Sequence, residues 1–340
     1  MNASRRAALL FGLSIFATLA MAWLALALGS RDGAVVFDPT WFLSRREPGQ
    51  DLLWTVLWEL RAPRVVAALV VGAALATAGL LLQGVTRNPL ADPYLLGVSG
   101  GAGLVVVALH ALLPGLVEFP WAIPLAAFIG ASGAMLAVLQ LARGSGGRLS
   151  LFSLILAGVV INAFCAALIT FFMARFDPHH LRITSTWLYG GLGFTRWGHL
   201  VAVAALVFVG WVFARAQAHR LNAFALGVAG AEAVGVDGDR LLLRAALLSS
   251  LLAALCVSLA GLLGYVGLIV PHGVRLLVGN DFRRTLSVSA VSGALLLLLA
   301  DTAARLILAP EELPVGVLTA LVGCPVLLWQ LRSQLTRRSS

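Results

Sequence analysis

The sequence contains no lysine: all 24 of its basic residues are arginine. That absence removes the G-x-x-x-x-G-K-[ST] phosphate loop and any Schiff-base lysine from the chain. Any ATP its activity needs is therefore hydrolysed by a partner. Charge of either sign is sparse, because Asp, Glu, Lys and Arg make up only 11% of the 340 residues, against about 25% in ordinary globular chains. Hydrophobic residues reach 60%, more than the remaining polar residues could cover as a soluble surface. Cysteine is scarce too. Cys165, Cys256 and Cys324 lie apart within apolar segments, a pattern of packing residues with no disulfide or metal framework. The six histidines form no H-E-x-x-H or H-x3-H pattern, and only His179 and His180 adjoin one another. Neither a metal site nor a catalytic cluster is expected from this chain alone, so it does not read as an enzyme. Its formal charge of +9 is scattered between apolar runs, which argues against nucleic acid as a partner.

What is present is a succession of apolar runs of about 20 residues, the length that crosses a ~30 Å hydrocarbon core as a helix. The first, Ala7 to Leu28, follows Arg5 and Arg6. It exceeds the h-region of about 7 to 15 residues found in a cleaved secretory signal, so an uncleaved helix is expected. The punctuation between runs predicts ten spans, at 7–28, 63–83, 95–113, 121–142, 151–174, 196–214, 241–260, 266–279, 286–308 and 314–331. The eighth is short and broken by Pro271, a break tolerated where neighbours or a cavity satisfy the freed backbone groups. The expected fold class is all-α, a polytopic membrane protein with about ten transmembrane helices. It forms a single transmembrane domain over 1–340 with no soluble domain and no linker. The bilayer is its solvent.

Ten spans place both termini on one side. With the N-terminus cytoplasmic, the outer side holds nine arginines, Arg31, Arg45, Arg46, Arg61, Arg64, Arg175, Arg182, Arg196 and Arg305. The other fifteen of the 24, from Arg5 to Arg338, fall inside. The positive-inside rule counts basic residues and favours this orientation.

Five features stand out from the apolar runs, one of them, the small residues, mostly a matter of bundle packing. Between spans two and three, Asn88-Pro89 and Asp92-Pro93 force a non-helical passage, with Asp92 placed to cap the next helix. Small residues at close spacing, Ala68, Gly72 and Ala76 in span two and Gly100, Gly101 and Gly103 opening span three, let helices approach. At the outer ends of spans two and nine stand Arg61, Arg64 and Arg305. They suit carboxylates of an incoming protein or an anionic solute, or else headgroup anchoring and local pairing with Glu59 or Asp301. Asp301 is the carboxylate placed inside a span, and its i,i+4 relation to Arg305 favours a local ion pair. Finally, the inside connection 215–240 holds an Ala-rich stretch from Leu221 to Asp237 with helical propensity, suited to a short surface helix.

These residues also resemble a known family. Arg61-Ala-Pro-Arg64, Arg87-Asn-Pro-Leu-Ala-Asp-Pro93 with Leu96-Gly-Val-Ser99, Leu156-Ala-Gly158, Gly264-Tyr-Val-Gly-Leu-Ile-Val-Pro-His272 and Glu312-Leu-Pro-Val-Gly316 stand in order and at plausible spacing. The set is similar to that of the FecCD-type permease subunits of ATP-binding-cassette importers for iron chelates, haem and cobalamin. The match covers nearly all of the chain after Asp51.

The resemblance implies a bacterial inner-membrane subunit, both termini cytoplasmic, that pairs with a second copy of itself and moves a ferric siderophore, haem or cobalamin by alternating access. ATP and Mg would be used by a cytoplasmic ATPase dimer, and this chain would bind no cofactor. A periplasmic substrate-binding protein would dock on Arg61, Arg64 and Arg305. The coupling segment would run from about 222 to 236 and include Asn222, Ala223, Phe224, Leu226, Gly227, Glu232, Gly235 and Val236. Some relatives carry small hydroxyl residues at a cytoplasmic constriction before span five, where this chain reads Arg148-Leu-Ser-Leu-Phe152. Ser150, Leu151 and Phe152 are therefore the candidate gate, read either as a bulkier apolar plug or as a sign of a shifted alignment. The alternative function is a secondary transporter driven by an ion gradient.

Overall fold

A computed structural model of the chain describes residues 3–31, 34–37, 54–143, 150–193, 195–225 and 227–338. Among the described residues the helices are α1 (Ala3–Ala27), α2 (Ala62–Thr86), α3 (Val98–Leu112), α4 (Ala122–Leu141), α5 (Leu151–Met173), α6 (Pro178–Leu188), α7 (Trp197–Phe224), α8 (Val228–Ala233), α9 (Gly238–Ala260), α10 (Val266–Val278), α11 (Phe282–Leu306) and α12 (Val315–Arg338). Seven are long and apolar enough to cross a membrane by length and composition, and α3, α10 and α12 supply shorter apolar stretches. Together they occupy the ten predicted spans. One exception to an all-helical chain is a small antiparallel hairpin, β1 (Leu28–Arg31) with β2 (Ala34–Phe37), which pairs Leu28 with Phe37 and Arg31 with Ala34.

α2 forms the axis of the bundle. It is apolar around its whole circumference and buried along nearly its whole length, the pattern of a helix enclosed by other helices. A π-helical turn, Val56–Arg61, leads into it, and Pro63 stands in its first turn, where a missing N–H costs nothing. α11 crosses α2 at Gly72 and Gly293, where a methyl on either glycine would overlap the other's backbone. α3 and α4 meet in the same way at Gly101 and Gly130, so the small residues of spans two and three do serve close approach. α9 runs antiparallel to α2 and donates the Ser249 hydroxyl to the Ala78 carbonyl at 2.8 Å.

α10 starts within the bundle. Its second residue, Gly267, packs on Leu75 and Gly79 in the middle of α2, so its 13 residues rise only about 20 Å toward the Arg87 end. Pro271 lies inside α10 without interrupting it. Its ring leaves the Gly267 carbonyl, four residues back, without the usual helical donor. Gln83 on α2 supplies one: its Nε2 donates to Gly267 O and Leu268 O, each at 3.2 Å. The expected break is thus a repaired helix, as the principle of internal satisfaction in a bilayer requires.

Candidate functional site

The two ends of the bundle carry the candidate groups. At one end, Arg64 reaches from the first turn of α2 into an ion cluster. Its Nε donates to Asp301 Oδ1 at 2.8 Å and its Nη1 to Glu312 Oε2 at 2.7 Å. Arg305, one turn beyond Asp301 on α11, places Nε 3.5 Å from Asp301 Oδ2 and donates from Nη2 to the Ala25 carbonyl at 3.0 Å. Arg61 donates to the Leu26 carbonyl at 3.0 Å, so two of the three arginines also tie down the end of α1. The side chains of Arg64 and Arg305 are 10% exposed and that of Asp301 is 0% exposed, while Glu312 is 53% exposed. A buried carboxylate held between two guanidiniums is stable only as a set, because loss of one partner strands a charge.

The three arginines expected at one outer face are therefore together, with the Asp301–Arg305 contact among them. Glu312 is the member that the sequence reading left without a role. It lies in the quoted Glu312-Leu-Pro-Val-Gly316 motif, yet its pairing with Arg64 spans 248 residues.

At the opposite end, α7 continues to Phe224, ten residues past the predicted limit of span six. Asn222, Ala223 and Phe224 are thus its last turn. Leu226 lies outside the described residues. Gly227 (φ 102°) and Gly235 (φ 76°) bracket the short α8 in backbone conformations that favour glycine, and Val236 closes the turn by donating its N–H to Ala231 O at 2.9 Å. Glu232 is exposed on α8. Asn222 does something different: its Nδ2 donates to Asp281 Oδ1 and its Oδ1 accepts from the Phe282 amide, both at 2.8 Å. This clamps the foot of α7 to the start of α11. Burial would raise the Asp281 carboxyl, but Asn222, the Arg283 amide and the neighbouring Arg284 and Arg283 together hold it below its ordinary value.

The candidate gate residues share this end. Arg148 lies outside the described residues. Ser150 caps α5 by accepting from the Ser153 amide at 3.4 Å, and Phe152 is 75% exposed. Ser150, Leu151 and Phe152 line a cavity of about 710 Å³ together with Arg87, Phe224 and Glu232. Arg87, in a left-handed conformation at the end of α2, holds its guanidinium 5.7 Å from the centre of the Phe224 ring. Gate candidates and coupling segment thus border one space.

Within the bundle, Asp92 does cap, accepting from the Tyr94 amide at 2.8 Å, but the element is a 3-10 turn, Pro93–Leu96, and α3 begins only after Gly97. Asn162 on α5 fastens this turn, donating to Tyr94 O and accepting from the Gly100 amide, each at 3.0 Å. His179 and His180 are exposed in the first turn of α6, where the His180 amide and imidazole pull the capping Asp177 carboxyl down to about 2. Cys324 lies 3.1 Å from the Tyr265 hydroxyl, and all three cysteines are free. Among the described residues no three His, Cys, Asp or Glu side chains gather as a metal site would require.

A ten-span helical bundle with an ionic cluster at one end and a glycine-bracketed surface helix at the other defines a polytopic membrane protein. Comparison with known proteins identifies its kind: the FecCD transport family matches residues 12–333, and the chain belongs to that family. It is 40% identical over 321 residues to the hemin transport system permease protein HmuU of Yersinia pestis, covering 92% of this chain and 94% of that one. It is 39% identical over 299 residues to the vitamin B12 import system permease protein BtuC of Citrobacter koseri, covering 86% and 85%. A solved inward-facing conformation of a metal-chelate type ABC transporter superposes with a TM-score of 0.81 at 28% identity, over 96% of this chain and 99% of that one. The chain is accordingly a multi-pass transport permease.

Proposed function

We propose that this protein is the membrane permease subunit of an ATP-driven bacterial importer for a metal chelate, with haem, cobalamin and ferric siderophores as the cargo classes. The observation that carries the reading is the near full-length likeness to permeases whose names specify hemin and vitamin B12. Two copies of the chain form a path along their shared axis, with both termini cytoplasmic. A periplasmic binding protein docks at the Arg61, Arg64 and Arg305 end. A separate ATPase dimer, using ATP and Mg, engages the segment from Asn222 to Val236 at the other end, and residues 1–340 act as one transmembrane unit. The subunit moves cargo by alternating access and performs no covalent chemistry. The lack of lysine, and with it of a phosphate loop, supports the separate ATPase.

The test is reconstitution in proteoliposomes with the ATPase and a purified binding protein, comparing uptake of hemin, cobalamin and a ferric hydroxamate siderophore. Uptake of one class that requires ATP and the binding protein is expected. Uptake driven by an ion gradient with ATP absent would overturn the reading in favour of a secondary transporter. Arg61→Glu is the informative docking variant, because changes at Arg64 or Arg305 also disturb Asp301. It should weaken binding-protein affinity by about tenfold or more, and deletion of 222–236 should leave ATP hydrolysis without transport.

A further inference from the structure

We infer that Glu312 holds, on Arg64, the place of a partner protein's carboxylate, and that docking exchanges the internal acid for an external one. The inference rests on the docking reading above. Arg64 is itself only 10% exposed, with Nε committed to Asp301 and Nη1 to Glu312. Its two acids differ in kind. Asp301 is wholly buried and is approached from its other oxygen by Arg305, so it belongs to the bundle. Glu312 is 53% exposed and lies between α11 and α12, on a side chain free to rotate outward.

A partner carboxylate that meets Nη1 of Arg64 with this geometry takes the place of Glu312. Gly193 borders that contact. A Cβ on Gly193 would lie 3.6 Å from Arg64 Nη1 and 4.0 Å from Glu312 Oε2, so the absence of a side chain there leaves the pair uncrowded on that side. Charge directs the same exchange. Arg64 is held between Asp301 and Glu312, and the outward swing of Glu312 removes one of those two negative charges, which an incoming acidic side chain restores. A buried guanidinium left without its partner is costly, so one carboxylate leaves as the other arrives. The occupant is therefore an acidic side chain on a folded protein, meeting Arg64 with the geometry Glu312 already uses.

The test uses the complete importer in nanodiscs and, as probe, the purified binding protein that supports ATP-driven uptake in the reconstitution above. Its Kd is measured for the native permease and for Glu312→Gln, Gly193→Val and Arg61→Glu. Glutamine can still accept from Arg64 but competes without charge, so Glu312→Gln should bind the partner roughly 3- to 10-fold more tightly. Gly193→Val, which crowds the pair, should bind it more weakly. Unchanged or weaker binding by Glu312→Gln, with Arg61→Glu still impaired, overturns the exchange and leaves docking intact. If Arg61→Glu binds as well as the native protein, the docking reading itself fails. Glu312 is exposed enough for its variant to fold, and a native melting temperature verifies this.

Discussion

Asn222 joins two helices with one amide, and its loss can be assigned a cost. Replacement by Ala removes both of its hydrogen bonds and leaves the half-buried Phe282 amide and Asp281 carboxylate short of a partner, about 1 to 3 kcal/mol of stability. A thermal melt in detergent reads this directly. The same contact governs acid sensitivity. Asp281 sits below its ordinary value in the folded protein, so its stabilisation is fully present above the unfolded value of about 3.9 and is lost as pH falls through the folded one. Asn222→Ala removes the side-chain partner that contributes to this shift, so the variant should lose less of its remaining stability than the native protein over that acid range. Gln83 is a second single-residue case. Gln83→Leu keeps the volume but withdraws the donor from the carbonyl that Pro271 leaves unserved, and should cost about 1 to 3 kcal/mol by the same measurement.

Among elements, α2, α10 and α11 depend on backbone-to-backbone approach. A Cβ at Gly79, in the middle of α2, would strike the Gly267 backbone at the start of α10. Gly79→Val should therefore cost more than a typical overpacking change of about 1 to 3 kcal/mol, and should appear as reduced yield of monodisperse protein. Valine at Gly133, which has open space around it, is the matched control and should leave yield unchanged. The extents of these elements were largely legible from the sequence. Apolar runs in α4, α5 and α10 end within one or two residues of where the helices do. α7 was underestimated for a physical reason: hydropathy reads the solvent around a helix, and its last turns carry Arg215, Gln217, His219 and Arg220, which favour helix but leave the apolar layer. Pro271 suggests a break where the helix continues, and the neighbour that serves the freed carbonyl, Gln83, lies 184 residues away in the chain.

For the whole molecule, counting arginines yields an expected orientation but not the identity of the ionic partners. Arg64 finds Asp301 and Glu312 across 237 and 248 residues, and only the packing of α2 against α11 brings them together. The Arg305–Asp301 relation was legible because both lie one turn apart on a single helix. The family motifs hold Arg64, Arg87 and Glu312 but neither Asp301 and Arg305 nor the stretch from Asn222 to Val236, and motif order carries no distances, and so could not tell a buried cluster from an exposed docking face.

α11 has a further consequence. It is one uninterrupted helix of 25 residues, roughly 37 Å long, seated on Asn222 at one end and carrying Asp301 and Arg305 at the other. If the ATPase and the binding protein engage its two ends as proposed above, it is in thermodynamic terms a shared coordinate, through which a shift at one terminus changes the free energy of engagement at the other. Linkage then demands symmetry. If the permease with its ATPase bound holds the periplasmic partner more tightly by some factor, the periplasmic partner must tighten the ATPase by that same factor. Asn222→Ala, by unseating the helix, should shrink both factors together, which paired titrations from the two sides of a nanodisc can measure.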